Sequence, residues 1–220
     1  MTTHGEKRQL AILGAGPFAE EVADLASATT QYAPVAFVEG IDRERCRGPL
    51  RGLPVVWIED VGQFAASCHA VCAVGTPKRD GFIRQALAHG LQFATVVHPA
   101  ACVSATATLG AGTIVGAATV IAAYASVGNH VIVNRGCLIG HHASIGDFAT
   151  ISPGANIAGG ARIGDRCYVG MGAIVVDGVA VGSAAMVGAG AVVTRDVPER
   201  VLVMGAPARA IKRLTAEDGA

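Results

Sequence analysis

Charge and aromatic residues are both scarce in this chain. Of its 220 residues only 15% are Asp, Glu, Lys or Arg, the 17 cations balance the 17 anions, and aromatics make up 5% with a single Trp. A net charge of zero gives no electrostatic footing for nucleic acid. No Asp, Glu, Lys or Arg lies between Arg84 and Arg135, and Thr113 to Val127 taken alone has the hydropathy of a membrane helix. Gly, Ser and Thr interrupt that run on a period that is not helical, which argues against the membrane. The segment Met1 to Gln9 lacks the apolar core of a signal peptide, so the expectation is a soluble, cytoplasmic protein without membrane insertion. Paired CxxC spacing is missing too. Cys46, Cys68 and Cys72 stand apart, whereas Cys102, Cys137 and Cys167 belong to a repeat, so reduced structural thiols are expected.

What the chain does have is periodicity. From Val97 to Val193 an aliphatic residue recurs at every sixth position, through Ile121, Ile139, Ile157 and Val175. A small residue follows four places after each, as at Ala125, Cys137, Ala149, Ala161 and Ala173, and Gly often follows directly. This is the hexapeptide signature of a parallel β-helix, three hexapeptides to a triangular coil, with the aliphatics pointing inward. Eighteen residues complete one coil, so positions 18 apart stack at about the 4.8 Å spacing of neighbouring strands.

The first ninety-odd residues follow a different pattern. Gln9 to Leu13 is an apolar strand entering Gly14-Ala15-Gly16, followed by a helix with Phe18, Val22, Leu25 and Ala26 on its apolar side. Strand-like runs follow at Val35 to Val38, Pro54 to Trp57 and Ala70 to Val74, with helical patterns at Ile58 to Ala66 and Lys78 to His89. The expected division is a Rossmann-like α/β domain over residues 1–95 and a β-helix over 96–220. The Gly14-Ala15-Gly16 turn reads either as a backbone cradle for a nucleotide phosphate at a helix N-terminus or as a tight turn that binds nothing. Glu39, ending the second strand, reads as a ribose or base contact or as an exposed strand end.

The strand-GxG-helix beginning, the Ala73-Val74-Gly75 to Arg79 turn, the His98-Pro99 pair, the unbroken hexapeptides and the closing Gly205-Ala206-Pro207-Ala208-Arg209 together resemble the sugar O-acyltransferase family of hexapeptide enzymes. The resemblance spans about Leu10 to Leu214. It implies a left-handed β-helix, and acetyl transfer from acetyl-CoA to an amino or hydroxyl group of a sugar, usually nucleotide-linked. It also implies a homotrimer with acetyl-CoA in the groove between prisms, and no metal.

The same resemblance supplies candidate residues. His141, in Ile139-Gly140-His141-His142-Ala143, matches the catalytic histidine, and an imidazole suits a general base near neutral pH. Two places beyond its anchor, it is expected on an outer face of the prism. Gly159, one coil further on, matches the glycine whose N–H faces the thioester carbonyl. Substrate contacts are expected from Gly14, Gly16, Pro17, Phe18, Glu39, Gly40, Gly75, Arg79 and Asn134. Acetyl-CoA contacts are expected from Thr150, Gly159, Met171, Ala189, Arg209 and Lys212.

The chain departs from the family in three places. His142 stands where a carboxylate often follows the catalytic histidine, and Thr150 where a second histidine is common. In the nucleotide loop, Gly16-Pro17-Phe18-Ala19 and Glu39-Gly40 replace the usual residues. The expected activity is N-acetylation of a nucleotide-linked amino sugar by direct transfer. O-acetylation of a sialic acid or similar sugar, and a non-catalytic sugar-nucleotide scaffold, are the alternatives. A zinc-dependent hydratase on the same prism would need three histidine ligands, and the H-x₄-H spacing is missing.

Overall fold

A computed structural model describes residues 7–215, without the side chain of Lys78. The N-terminal region is a five-stranded sheet in the order β3-β2-β1-β4-β5, all parallel, from β1 (Arg8–Leu13), β2 (Tyr32–Glu39), β3 (Val55–Trp57), β4 (Cys68–Cys72) and β5 (Gln92–Phe93). Leu10, Ile12 and Leu13 are fully buried, as expected for a central strand covered on both faces. Helix α1 (Pro17–Ala28) starts at Gly16 with Pro in its first turn, and α2 (Asp80–Ala88) leads back towards β5. The segment expected as a helix from Ile58 is a 3₁₀-helix, Ile58–Phe64, in which only Ile58 and Val61 are buried. Gly62 and β-branched Ile58 and Val61 weaken an α-helix of so few turns, and the tighter coil satisfies a short connection.

From Val96 the chain winds as a left-handed triangular prism whose faces contain eight, six and five strands. Each hexapeptide contributes a two-residue parallel strand paired with the strand 18 residues away, such as Leu138–Ile139 with Val120–Ile121 and Asn156–Ile157. Ile121, Ile139, Ile151, Ile157, Val169 and Val175 are at most 2% exposed, and Cys137, Ala149, Ala161 and Cys167 fill the space beside them. Val97, Val103 and Leu109 are only partly buried because the first coil has no coil beneath it.

One prism corner carries a ladder of side chains. Asn129 Oδ1 accepts from Ala111 N–H at 3.0 Å, Asp147 Oδ1 from Asn129 N–H at 2.7 Å, and Asp165 Oδ1 from Asp147 N–H at 2.9 Å. Each satisfies a corner amide that the strand ladders do not reach. The two regions pack as one body: Val22 and Leu25 of α1 share a cluster with Ile114 and Ile132 on the outward side of the eight-stranded face.

Candidate functional site

His141 stands in the turn after Leu138–Ile139, at the corner between the six-stranded and five-stranded faces and not on a flat face as its spacing from the anchor led us to expect. Its backbone is fixed from both sides: Gly140 N–H donates to Ile157 O at 2.7 Å, and Gly160 N–H donates to His141 O at 2.9 Å. Gly140 is required there, since a Cβ would lie 2.5 Å from Gly159 N. The exposed imidazole lies against Gly159, where an added Cβ would be 2.8 Å from both Cε1 and Nε2. Gly159 N–H donates to no acceptor among the described residues. The arrangement joins a solvent-accessible ring nitrogen to a backbone donor one coil away, which are the parts needed to remove a proton and stabilise an oxyanion. Burial pushes the Cys137 thiol up to about 11 and that of Cys167 to about 12, so neither offers a thiolate for a covalent intermediate.

The other prism candidates stand elsewhere. Met171, 59% exposed, and Ala189, also exposed, occupy successive turns at the opposite edge of the six-stranded face. Asn134 is on that same edge, lower down, with its Oδ1 accepting from Arg135 N–H at 2.9 Å, beside Phe18 and Gly116. Within one chain, therefore, the whole face separates His141 and Gly159 from Asn134, Met171 and Ala189. Arg209 and Lys212 lie on the exposed strand Arg209–Arg213, antiparallel to Val201–Met204 at the far end of the eight-stranded face.

A second concavity opens at the C-terminal ends of the N-terminal strands, with a volume of about 250 Å³. Gly14, Gly16 and Glu39 line it, as the sequence leads one to expect. Gly14 has φ +114 and its α-carbon faces Ala73 O, whereas Gly16 has open space where a side chain would be. Pro17 is exposed at the first position of α1. The Glu39 carboxylate is only 4% exposed and is turned into its own loop, accepting from the N–H groups of Gly40 and Ile41 at 2.9 and 2.8 Å. Its role is to shape the loop and to hold Arg45 at 3.4 Å. Gly40 lies under Phe82, whose ring would be 2.7 Å from a Cβ there.

Sequence reasoning missed Ile41, Asp42, Arg45 and Phe82, which complete this lining. Ile41, two residues past the end of β2 and 89% exposed, was the available signal, since an aliphatic there has no core to enter.

Arg79 and Thr150 need correction. Arg79 is 1% exposed, and its guanidinium donates to the carbonyls of Thr76, His130, Phe148 and Ala149 and to Thr150 Oγ1 at 2.9 Å. Burial lowers its pKa to about 10, still cationic at neutral pH. Thr150, 3% exposed, donates in turn to Gly75 O at 3.2 Å. Arg79 is therefore an interdomain clamp and not a substrate contact, and Thr150 faces the N-terminal domain and not a cofactor groove. Gly75 serves this junction through its carbonyl. Beside it, His130 packs between Phe93 and Phe148, with ring centroids at 4.7 and 5.3 Å.

Among the described residues no group of three His, Cys, Asp or Glu is placed to hold a metal ion, and no helix is long and apolar enough to cross a membrane.

Residues 9–90 match the model of the PglD N-terminal domain, and residues 142–175 and 160–195 match that of the bacterial transferase hexapeptide. Perosamine N-acetyltransferase from Caulobacter crescentus, solved as a histidine-to-asparagine variant with CoA and GDP-perosamine, is 30% identical over 93% of this chain and 97% of its own, with a TM-score of 0.87. The acetyltransferase domain of PglB from Neisseria gonorrhoeae, in complex with acetyl coenzyme A, is 33% identical over 94% and 100%, with a TM-score of 0.85. WeeI from Acinetobacter baumannii is 26% identical over 93% and 100%, with a TM-score of 0.83. No curated protein sequence matches.

Proposed function

The chain belongs to the PglD-like hexapeptide sugar acyltransferases, acetyltransferases that use acetyl-CoA, and from that premise we propose that it N-acetylates a nucleotide-linked amino sugar. The observation that carries this reading is the corner where the His141 ring rests on Gly159 with that glycine's N–H unspent. The nucleotide occupies the pocket of Gly14, Gly16, Ile41 and Phe82, with Gly16 leaving room for a phosphate at the start of α1. The sugar amine attacks the thioester carbonyl carbon as His141 Nε2 takes the amine proton. Gly159 N–H donates to the oxyanion of the tetrahedral intermediate. Its collapse breaks the C–S bond and releases CoA as the thiolate, which regains a proton from the His141 imidazolium.

The division of candidates across the six-stranded face supports a homotrimer. A second prism laid along that face would bring its own Met171 and Ala189 edge towards His141 and form a groove for pantetheine, with Arg209 and Lys212 contacting the CoA phosphates. The face exposes Val120, Leu138 and Ile174 in one column, with half-buried Asn156 between the last two.

Free-thiol release from acetyl-CoA, measured against UDP-, GDP- and dTDP-linked amino sugars and free sialic acids, tests the acceptor class. Turnover with one of the nucleotide-linked amino sugars is the expected result. Turnover with sialic acids alone would replace N- by O-acetylation, and none with any acceptor would oppose the reading.

A further inference from the structure

His141 Nδ1 lies 3.2 Å from Nδ1 of His142, and no other side chain hydrogen-bonds to either ring among the described residues. Two facing nitrogens at this distance share one proton: one ring donates N–H and the other accepts. A base that takes a substrate proton at Nε2 must begin with a lone pair there, so neutral His141 carries its hydrogen on Nδ1 and is the donor. His142 Nδ1 then accepts, with its own hydrogen on Nε2. We propose that His142 is the positioning residue for His141, a neutral imidazole acceptor that fixes the tautomer and ring orientation of the base without a carboxylate. This inference rests on the reading of His141 as the base.

The surroundings hold His142 in place for that task. Its N–H donates to Ala123 O at 3.1 Å, its backbone has φ +57, and its ring leans on Tyr124 one coil below, with centroids 5.0 Å apart. The two histidine rings stand nearly perpendicular, at 82°. His141 thus has Gly159 beside its Cε1 and Nε2, and His142 at its Nδ1. When Nε2 gains the substrate proton, the Nδ1–H of the new imidazolium still donates to the uncharged neighbour. A proton placed on His142 Nδ1 would end that acceptance and turn His141 into the Nε2–H tautomer, so an added proton on either ring disables the base.

Two variants test this. His142→Gly removes the ring at a φ that glycine adopts freely, and His142→Asp restores an acceptor with a residue that tolerates the left-handed region. The Gly variant is expected to lose about 10- to 100-fold in kcat with KM for acetyl-CoA unchanged, and the Asp variant to recover most of it. Proton–nitrogen correlation spectra of the wild-type imidazoles are expected to place hydrogen on Nδ1 of His141 and Nε2 of His142. Undiminished kcat in the Gly variant, or hydrogen on Nε2 of His141, would overturn the proposal. His141→Asn measured alongside separates the two claims: its retained activity would sink the base, whereas its inactivity beside a fully active His142→Gly would sink only the positioning role.

Discussion

A methyl group on Gly159 would lie 2.8 Å from Cε1 and Nε2 of His141, closer than atoms in contact approach. The ring is an exposed side chain that can swing away, so Gly159→Ala is expected to leave the melting temperature nearly unchanged while lowering kcat through the displaced imidazole. Thermal denaturation and steady-state kinetics on one preparation check both halves. His130 makes a different prediction. Burial, then the nearby Arg79 charge, lower its pKa, with Asp147 opposing, and its buried Nδ1 has no hydrogen-bond partner among the described residues. The folded state therefore binds protons less readily than the unfolded chain, whose histidine titrates near about 6.5. His130 contributes no penalty above that value, and stability falls as pH drops from it towards the lowered folded pKa. Denaturant midpoints at about pH 7.5 and about pH 5 are expected to differ less in His130→Phe than in wild type, and an equal difference in the two proteins would contradict this.

At the scale of elements, legibility followed periodicity. The prism could be read almost strand by strand because one aliphatic per hexapeptide must be inward, and Ile121 to Val193 are indeed buried. The N-terminal strands and α1 were legible from apolar runs ended by Gly, whereas Ile58–Phe64 was not, because seven residues with apolar spacing fit α and 3₁₀ coils alike. The corner ladder of Asn129, Asp147 and Asp165 was readable as polar residues 18 apart, a signal hidden by reading only the aliphatics. Arg79 shows what a sequence cannot carry. An arginine in the turn after a strand end was expected to touch substrate, and only the packing of that turn on the prism shows its donors spent on carbonyls from a distant coil. Arg79→Met is expected to destabilise the fold by about 3 kcal/mol or more, since several buried carbonyls lose their donor together. Urea denaturation would read this as a lower midpoint.

For the whole molecule, the proposed site is divided across one face of the prism. His141 and Gly159 occupy one edge of the six-stranded face, Met171 and Ala189 the other, and between them Val120, Leu138 and Ile174 are exposed in a column that also holds Asn156. Sedimentation is expected to give a species near three times 22.2 kDa. Leu138→Glu is expected to shift it towards monomer and weaken acetyl-CoA binding together, because the proposed trimer contact and cofactor groove both use that face. Arg79 and the packing of α1 on Ile114 and Ile132 tie the N-terminal region to the prism. The most direct test of the account is turnover by His141→Asn with the best acceptor from the nucleotide-sugar panel, alongside calorimetric binding of CoA. The account predicts a loss of about 10²- to 10⁴-fold in kcat with CoA binding retained. Wild-type turnover in that variant would contradict it.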